Sequence, residues 1–215
     1  MASISKANAN PSRIRETRRR QLVEAAVACI AERGLPGATL SAVTAKAGLS
    51  HGLANFHFES KDALLSETLG HLAEEHHAEW RRALDAAPAD PASRLAALVA
   101  ADFARSVCTP ERLAVWFAFW GQATHRPYYL EKHRQYDGAR KAMLQTLCAD
   151  LAAVPVQGAR PAMDPDRAAR SIEALVDGLW LQLLLDPAAI DRKEAHACAR
   201  DGLAALFPMH FPPAT

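Results

Sequence analysis

The chain has 215 residues, half of them hydrophobic and 23% charged, the composition of a globular protein with room for a sizeable core. Its net charge of +1 excludes a uniformly basic nucleic-acid binder, and no apolar run reaches the roughly 18 residues that a membrane helix needs. The charge is unevenly spread: residues 1–62 carry nine Lys/Arg against five Asp/Glu, and residues 63–215 carry sixteen against nineteen, which puts an anion-facing front on a mildly acidic body.

Residues 1–12 are polar, contain no apolar signal-peptide core, and are expected to form a disordered tail. Beyond them alternating strand patterns are absent and the chain reads as all-α, with about nine helices. Leu22, Val23, Ala26, Val27 and Ile30 form one stripe at helical spacing, predicting a first helix over 13–33 that stops at Gly34. Two short helices follow at 40–47 and 51–57. Ser60 caps a fourth that runs to 86, with Asp62 in its first turn. Asp90-Pro91, Thr109-Pro110 and Asp164-Pro165 each pair an N-cap side chain with a proline at the first helical position. They open helices over 91–107, 110–123 and 165–185. His125-Arg126-Pro127 breaks the chain before a helix at 128–153, a Pro/Gly-rich loop covers 154–164, and a last helix covers 191–206. Residues 13–62 form one expected domain and 63–215 the other. Cys29, Cys108, Cys148 and Cys198 form no C-x-x-C pair and sit in apolar helical patterns, as expected of reduced thiols in a cytosolic protein.

The two short helices are joined through Ala47-Gly48-Leu49-Ser50, a helix-turn-helix spacing in which glycine relaxes the sharp turn. Neither is long enough to be stable alone, so both must pack on the first helix. Leu49 fills the angle, Ser50 caps the second helix, and Leu53 and Phe56 turn it to the core. That leaves His51, Gly52, Asn55 and His57 facing outward to read a major groove, with Ser50 and Lys61 at the edges. Arg18, Arg19 and Arg20 lie where they can flank phosphates. An ordinary corner of a helical bundle has the same spacing. The order Thr39…Ala47-Gly48-Leu49-Ser50-x-Gly52…Phe58-x-x-Lys61 separates the two in favour of DNA.

Arg18 to Leu65 resembles the DNA-binding domain of TetR-family transcriptional regulators, which implies a three-helix N-terminal domain and a variable ligand domain. By that resemblance Thr39, Ser50, His57 and Lys61 are phosphate contacts, and Phe56 joins them on the DNA side. Asn55 stands where the family usually has tyrosine, and its amide suits the edge of an adenine. The stretches at 114–134 and 175–185 resemble the choline-responsive BetI-type branch.

Eight of the fourteen aromatics fall between 103 and 136. Trp116, Phe119 and Trp120 share a helix face, and with Phe103, Tyr128, Tyr136 and Trp180 they are candidates for an aromatic cage around an organic cation. Asp102, Asp137 or Asp177 supplies the counter-charge. Plain core packing is the competing account of any single ring. Leu175, Leu179, Leu183 and Leu184 make the 165–185 helix broader in its apolar surface than a surface helix needs, which points to a two-fold dimer interface. His71, His76 and His77 lack metal-ligand spacing, and neither a phosphate loop nor a nucleophile motif is present, so no metal, cofactor or catalysis is expected. The expectation is therefore a homodimeric repressor, not an enzyme. It would sit on a palindromic double-stranded operator and be released by choline or a related cation. An apolar or acidic effector is the alternative, and a helical metal-binding or enzyme bundle is the alternative of a different class.

Overall fold

The computed structural model describes residues 11–122, 125, 127–153 and 163–211, so residues 1–10 of the expected 1–12 tail and nearly all of the 154–164 loop lie outside the described residues, while residues 11 and 12 belong to the first helix instead of the tail. Among the described residues there are nine helices and no strand. In order they are α1 (Pro11–Gly37), α2 (Leu40–Ala47), α3 (His51–His57), α4 (Lys61–Ala86), α5 (Pro91–Ala101), α6 (Pro110–Trp120), α7 (Pro127–Ala153), α8 (Pro165–Leu185) and α9 (Arg192–Leu206). They form two compact units, one up to Thr68 and one from Leu69 onward, so the division falls inside α4 rather than at its cap near 62. A helix can serve two cores on different turns, and no composition change marks where one hands over to the other.

In the first unit the stripe Leu22, Val23, Ala26, Val27 and Ile30 is fully buried, together with Val43, Ala54 and Phe58. Gly34 takes φ 69° as a helix stop, and a short helical turn resumes beyond it, with Pro36 near its start where proline is tolerated. Thr39 caps α2, its hydroxyl accepting from the Ala42 N–H at 3.1 Å. Gly48 ends α2 at φ 64° and donates back to Ala45 and Thr44. A Cβ added at Gly48 would meet nothing within 4 Å, so its whole cost is backbone. Gly48→Ala should therefore destabilise the chain by about 1–2 kcal/mol, the penalty of the left-handed conformation. Urea denaturation reads this, and an unchanged midpoint would contradict the turn geometry.

In the second unit the three proline-led starts behave as the sequence implies: Asp90, Thr109 and Asp164 accept from the N–H groups of Ser93, Arg112 and Arg167. α5 ends at Ala101, short of the expected 107. Tertiary bonds override its helical propensity: the Asp102 carboxylate is captured by Arg140 and His76, and the Phe103 carbonyl accepts from Arg192 at 2.6 Å. α6 ends at Trp120, three residues short of 123, with Gly121 at its cap. α8 packs against α6, α7 and α9 and buries Ile172, Val176, Leu179 and Leu183. Cys29, Cys108 and Cys148 are buried free thiols, and burial pushes the latter two up to about 11, which keeps them unreactive at neutral pH.

Candidate DNA-reading surface and effector cavity

α3 buries Ala54 and His57, and Phe58 follows at its cap, an i, i+3, i+4 set rotated by one residue from the expected Leu53 and Phe56. Two expectations change with that rotation. Phe56 does not point to the core; it is 65% exposed, with the Arg15 guanidinium 5.2 Å from its ring centre. His57 does not point outward; it is buried, and its Nδ1 has no hydrogen-bond partner among the described residues. Burial, helped by the charges of Arg15 and Arg19, holds its pKa below the ordinary value, so a neutral imidazole faces the inside at pH 7. Gly52 and Asn55 are exposed as expected, and the side chain of His51 lies outside the described residues. Ser50 occupies the N-cap position but its hydroxyl makes no capping bond; the helix opens on the Leu53 N–H donating to the Ser50 carbonyl.

The basic residues divide into tied and exposed. Lys61 donates to the carbonyls of Leu35 and Pro36 at 2.6 and 2.9 Å, fixing the start of α4 to the link before α2. Two of its three ammonium donors are thereby used. Arg19 forms a two-pronged pair with Glu67 at 2.7 and 2.9 Å, donates to the His57 carbonyl, and lies 4.9 Å from the Phe58 ring centre. It clamps the unit from within instead of standing ready for phosphate. Arg18 and Arg20 are exposed.

The second unit holds a partly open cavity of about 260 Å³. All four tryptophans of the chain line it: Trp80 from α4, Trp116 and Trp120 from α6, and Trp180 from α8. The Trp116 and Trp120 ring centres are 6.3 Å apart, and His76 stands 5.8 Å from Trp180. Asp102, Asp137, Arg140, Lys141, Glu173 and Asp177 supply the charged part of the wall. Asp102 and Arg140 are both buried and joined by two hydrogen bonds, one from the Arg140 Nε at 3.2 Å, and His76 Nε2 lies 2.7 Å from the same carboxylate. Burial alone would raise the Asp102 pKa, but Arg140 and His76 outweigh it and hold the carboxyl below its ordinary range. The Trp180 indole N–H donates to the Asp102 carbonyl at 3.0 Å, tying one cage wall to this network.

Of the expected ligand residues, Trp116, Trp120, Trp180 and Asp177 line the cavity. Phe119 and Phe103 do not: Phe119 packs edge-on to Tyr129 at 5.0 Å, and Phe103 packs beside His196 at 5.8 Å. Phe119 and Trp120 flank Trp116 on opposite edges of one α6 face, about 100° apart, so a shared stripe of three aromatics splits between cavity and core. The side chains of Tyr128 and Tyr136 lie outside the described residues. Trp80 was missed because it stands apart from the aromatic cluster in sequence. The readable signal was the recurrence of Leu69, Ala73, His76 and Trp80 at three- and four-residue intervals. On α8, Leu179 and Leu183 are buried within the chain, Leu184 is half-buried, and Leu175 reaches over Gly202 of α9, where a Cβ would lie 2.3 Å from it.

A short helix presented outward beside exposed arginines, and a separate aromatic cavity, define a ligand-responsive DNA-binding regulator. Residues 22–68 match the bacterial regulatory proteins of the tetR family, and residues 91–208 match the C-terminal domain of BetI-type transcriptional repressors. The HTH-type transcriptional regulator BetI of Burkholderia cenocepacia (strain HI2424) is 38% identical over 87% of this chain and 93% of its own length. That of Paraburkholderia phytofirmans is also 38% identical, over 87% and 92%. The crystal structure of a proposed transcriptional regulator from Pseudomonas aeruginosa PAO1 matches with a TM-score of 0.76 and 31% identity, over 94% of this chain and 95% of that one. A Saccharomonospora viridis regulator solved in complex with choline shares the fold, with a TM-score of 0.74 at 23% identity over 86% of this chain and 95% of that one. The chain belongs to the TetR family of ligand-responsive transcriptional regulators and carries the C-terminal domain of its BetI-type repressors.

Proposed function

We propose that the protein is a homodimeric repressor, working in the cytoplasm, whose operator complex is dissolved when a quaternary ammonium of the choline class enters the tryptophan-lined cavity. The carrying observation is that all four tryptophans meet at one cavity whose wall also holds four carboxylates. Indole faces attract cations through their negative quadrupole, and carboxylates add counter-charge without demanding hydrogen-bond donors that a quaternary nitrogen lacks. The neighbour solved in complex with choline, which shares the fold, supports the same ligand class. On the DNA side, Asn55 reads a base edge, with Gly52 letting the helix backbone approach and Phe56 beside it. Thr39, Ser50 and the remaining donor of Lys61 serve the phosphates, together with Arg18 and Arg20. An effector shifts the two recognition helices only by binding one arrangement more tightly than the other.

Calorimetry with choline and with its neutral tert-butyl isostere, 3,3-dimethylbutan-1-ol, tests the effector. The isostere keeps the shape and loses the charge, so choline should bind more tightly by about 2 kcal/mol, roughly 30-fold, and should lower operator affinity in a gel shift. Equal binding of the two would leave a plain apolar pocket and end the cation reading, while the repressor assignment would stand.

A further inference from the structure

The charges that face the cavity do not balance. His76 comes from α4, Asp102 from the turn after α5, Asp137, Arg140 and Lys141 from α7, and Glu173 and Asp177 from α8. Arg140 is taken by Asp102, and Lys141 by Asp137 at 2.9 Å. Glu173 and Asp177 are left over. They stand one turn apart on the same side of α8, both in the cavity wall beside Trp180, and among the described residues neither has a hydrogen-bond partner. Two carboxylates so placed cannot both ionise without mutual repulsion across partly desolvated space.

We infer that in mildly acidic solution Glu173 and Asp177 hold one proton between them in the ligand-free protein, and that a cationic head group entering the cavity expels it. This rests on the reading that the cavity takes a cation, and it names the two side chains that measure the effector's charge. The exchange is balanced: the carboxyl O–H bond breaks, the proton passes to solvent, and the carboxylate left behind faces the cation. No bond to the effector forms. Asp177 keeps an exposed edge, which gives the proton its way out. The direction of both carboxyls agrees. Burial, its largest cause, raises Glu173, with Lys141 opposing. The cavity walls push Asp177 up to about 6, with Arg140 opposing and Asp137, Glu173 and Asp102 adding to the rise.

The sign of the linkage follows. A cation prefers the site deprotonated, so below a pKa of about 6 binding must first remove a proton, and affinity falls as the pH falls. Titration calorimetry of the full-length protein with choline chloride, in buffers of equal pH and different ionisation enthalpy, counts the protons. We expect release approaching one proton per site near pH 5 and none at pH 8, with affinity rising about tenfold between them. Glu173→Gln with Asp177→Asn should flatten the pH dependence, and operator binding by this double variant reports that it is folded. The wild-type proton count stands even if it is not. Affinity that is equal at pH 5 and pH 8, with no proton exchanged, overturns the inference and leaves the cation effector intact. A pH dependence that survives in the folded double variant places the proton on another group and also overturns it. The same release driven by the neutral tert-butyl isostere would show that charge is not what expels the proton. If neither choline nor tetramethylammonium binds at millimolar concentration, this inference and the proposed effector class both fall.

Discussion

Asp102→Ala should cost the second unit about 3–5 kcal/mol, a large share of the 5–15 kcal/mol that holds an ordinary domain together. The loss does not come from the ion pair being strongly stabilising, since burying two charges costs nearly as much as their attraction returns. It comes from what is left behind. Arg140 is buried, and its guanidinium is hydrogen-bonded to Asp102 through both Nε and Nη2. Without that carboxylate a charge that cannot be shed remains in a low-dielectric wall, and His76 loses its partner as well. Removing both charges should therefore be far milder than removing one: Asp102→Asn with Arg140→Met should recover most of the stability. Urea denaturation of the single and double variants gives the comparison. A single variant within about 1 kcal/mol of wild type, or a double variant as weak as the single, would contradict it. The same pair sets an acid limit. Because the folded Asp102 pKa lies below its unfolded value, its contribution is fully present above about pH 4 and is lost as the pH falls through the folded pKa.

What the sequence disclosed of this arrangement depended on whether the signal was local. Caps and turns are decided within four residues, so Asp90, Thr109, Asp164 and Gly48 were readable at once and the helix order followed. The helix-turn-helix was readable for the same reason. The facing of α3 was not, because a seven-residue helix offers two turns and its rotation is set by tertiary packing, which here buries Ala54, His57 and Phe58 in place of Phe56. The end of α5 was hidden too. Nothing in 102–107 forbids a helix, and the chain leaves it because Arg140 and Arg192, far along the sequence, claim its polar groups. The cavity was half legible. Aromatic enrichment drew attention to α6, but a count of rings cannot tell Trp116 from Phe119. The charged wall is assembled from α4, α7 and α8, whose contributions only become neighbours on folding.

Introducing Leu181→Glu together with Leu185→Glu should separate the proposed homodimer and lower operator affinity by about 100-fold or more, while choline binding persists. The sequence pointed to α8 as the interface through Leu175, Leu179, Leu183 and Leu184, but Leu179 and Leu183 are used up inside the chain and Leu175 rests on Gly202. Leu183→Arg would accordingly damage the fold rather than split a dimer. The residues left outward are Leu181 and Leu185, one turn apart, exposed by 39% and 72%. They continue a stripe through Ala174 and Gly178 at intervals of four and three, and a Cβ at Gly178 would meet nothing in the chain within 4 Å. A helix face that is small at one end and apolar at the other suits close approach to its own two-fold copy, where the same surface meets itself. Glutamates there would place like charges across the axis in an apolar contact. The effect on DNA follows from linkage. One subunit reads one half-site, and joining two makes the second contact intramolecular, a gain of roughly 10²–10⁴ that a monomer forfeits. Sedimentation and gel shifts on a two-half-site duplex measure both consequences, and calorimetry with choline confirms that the cavity survives. A double variant that still sediments as a dimer would move the interface off this stripe. One that sediments as a monomer yet binds the duplex undiminished would refute the requirement for two recognition helices.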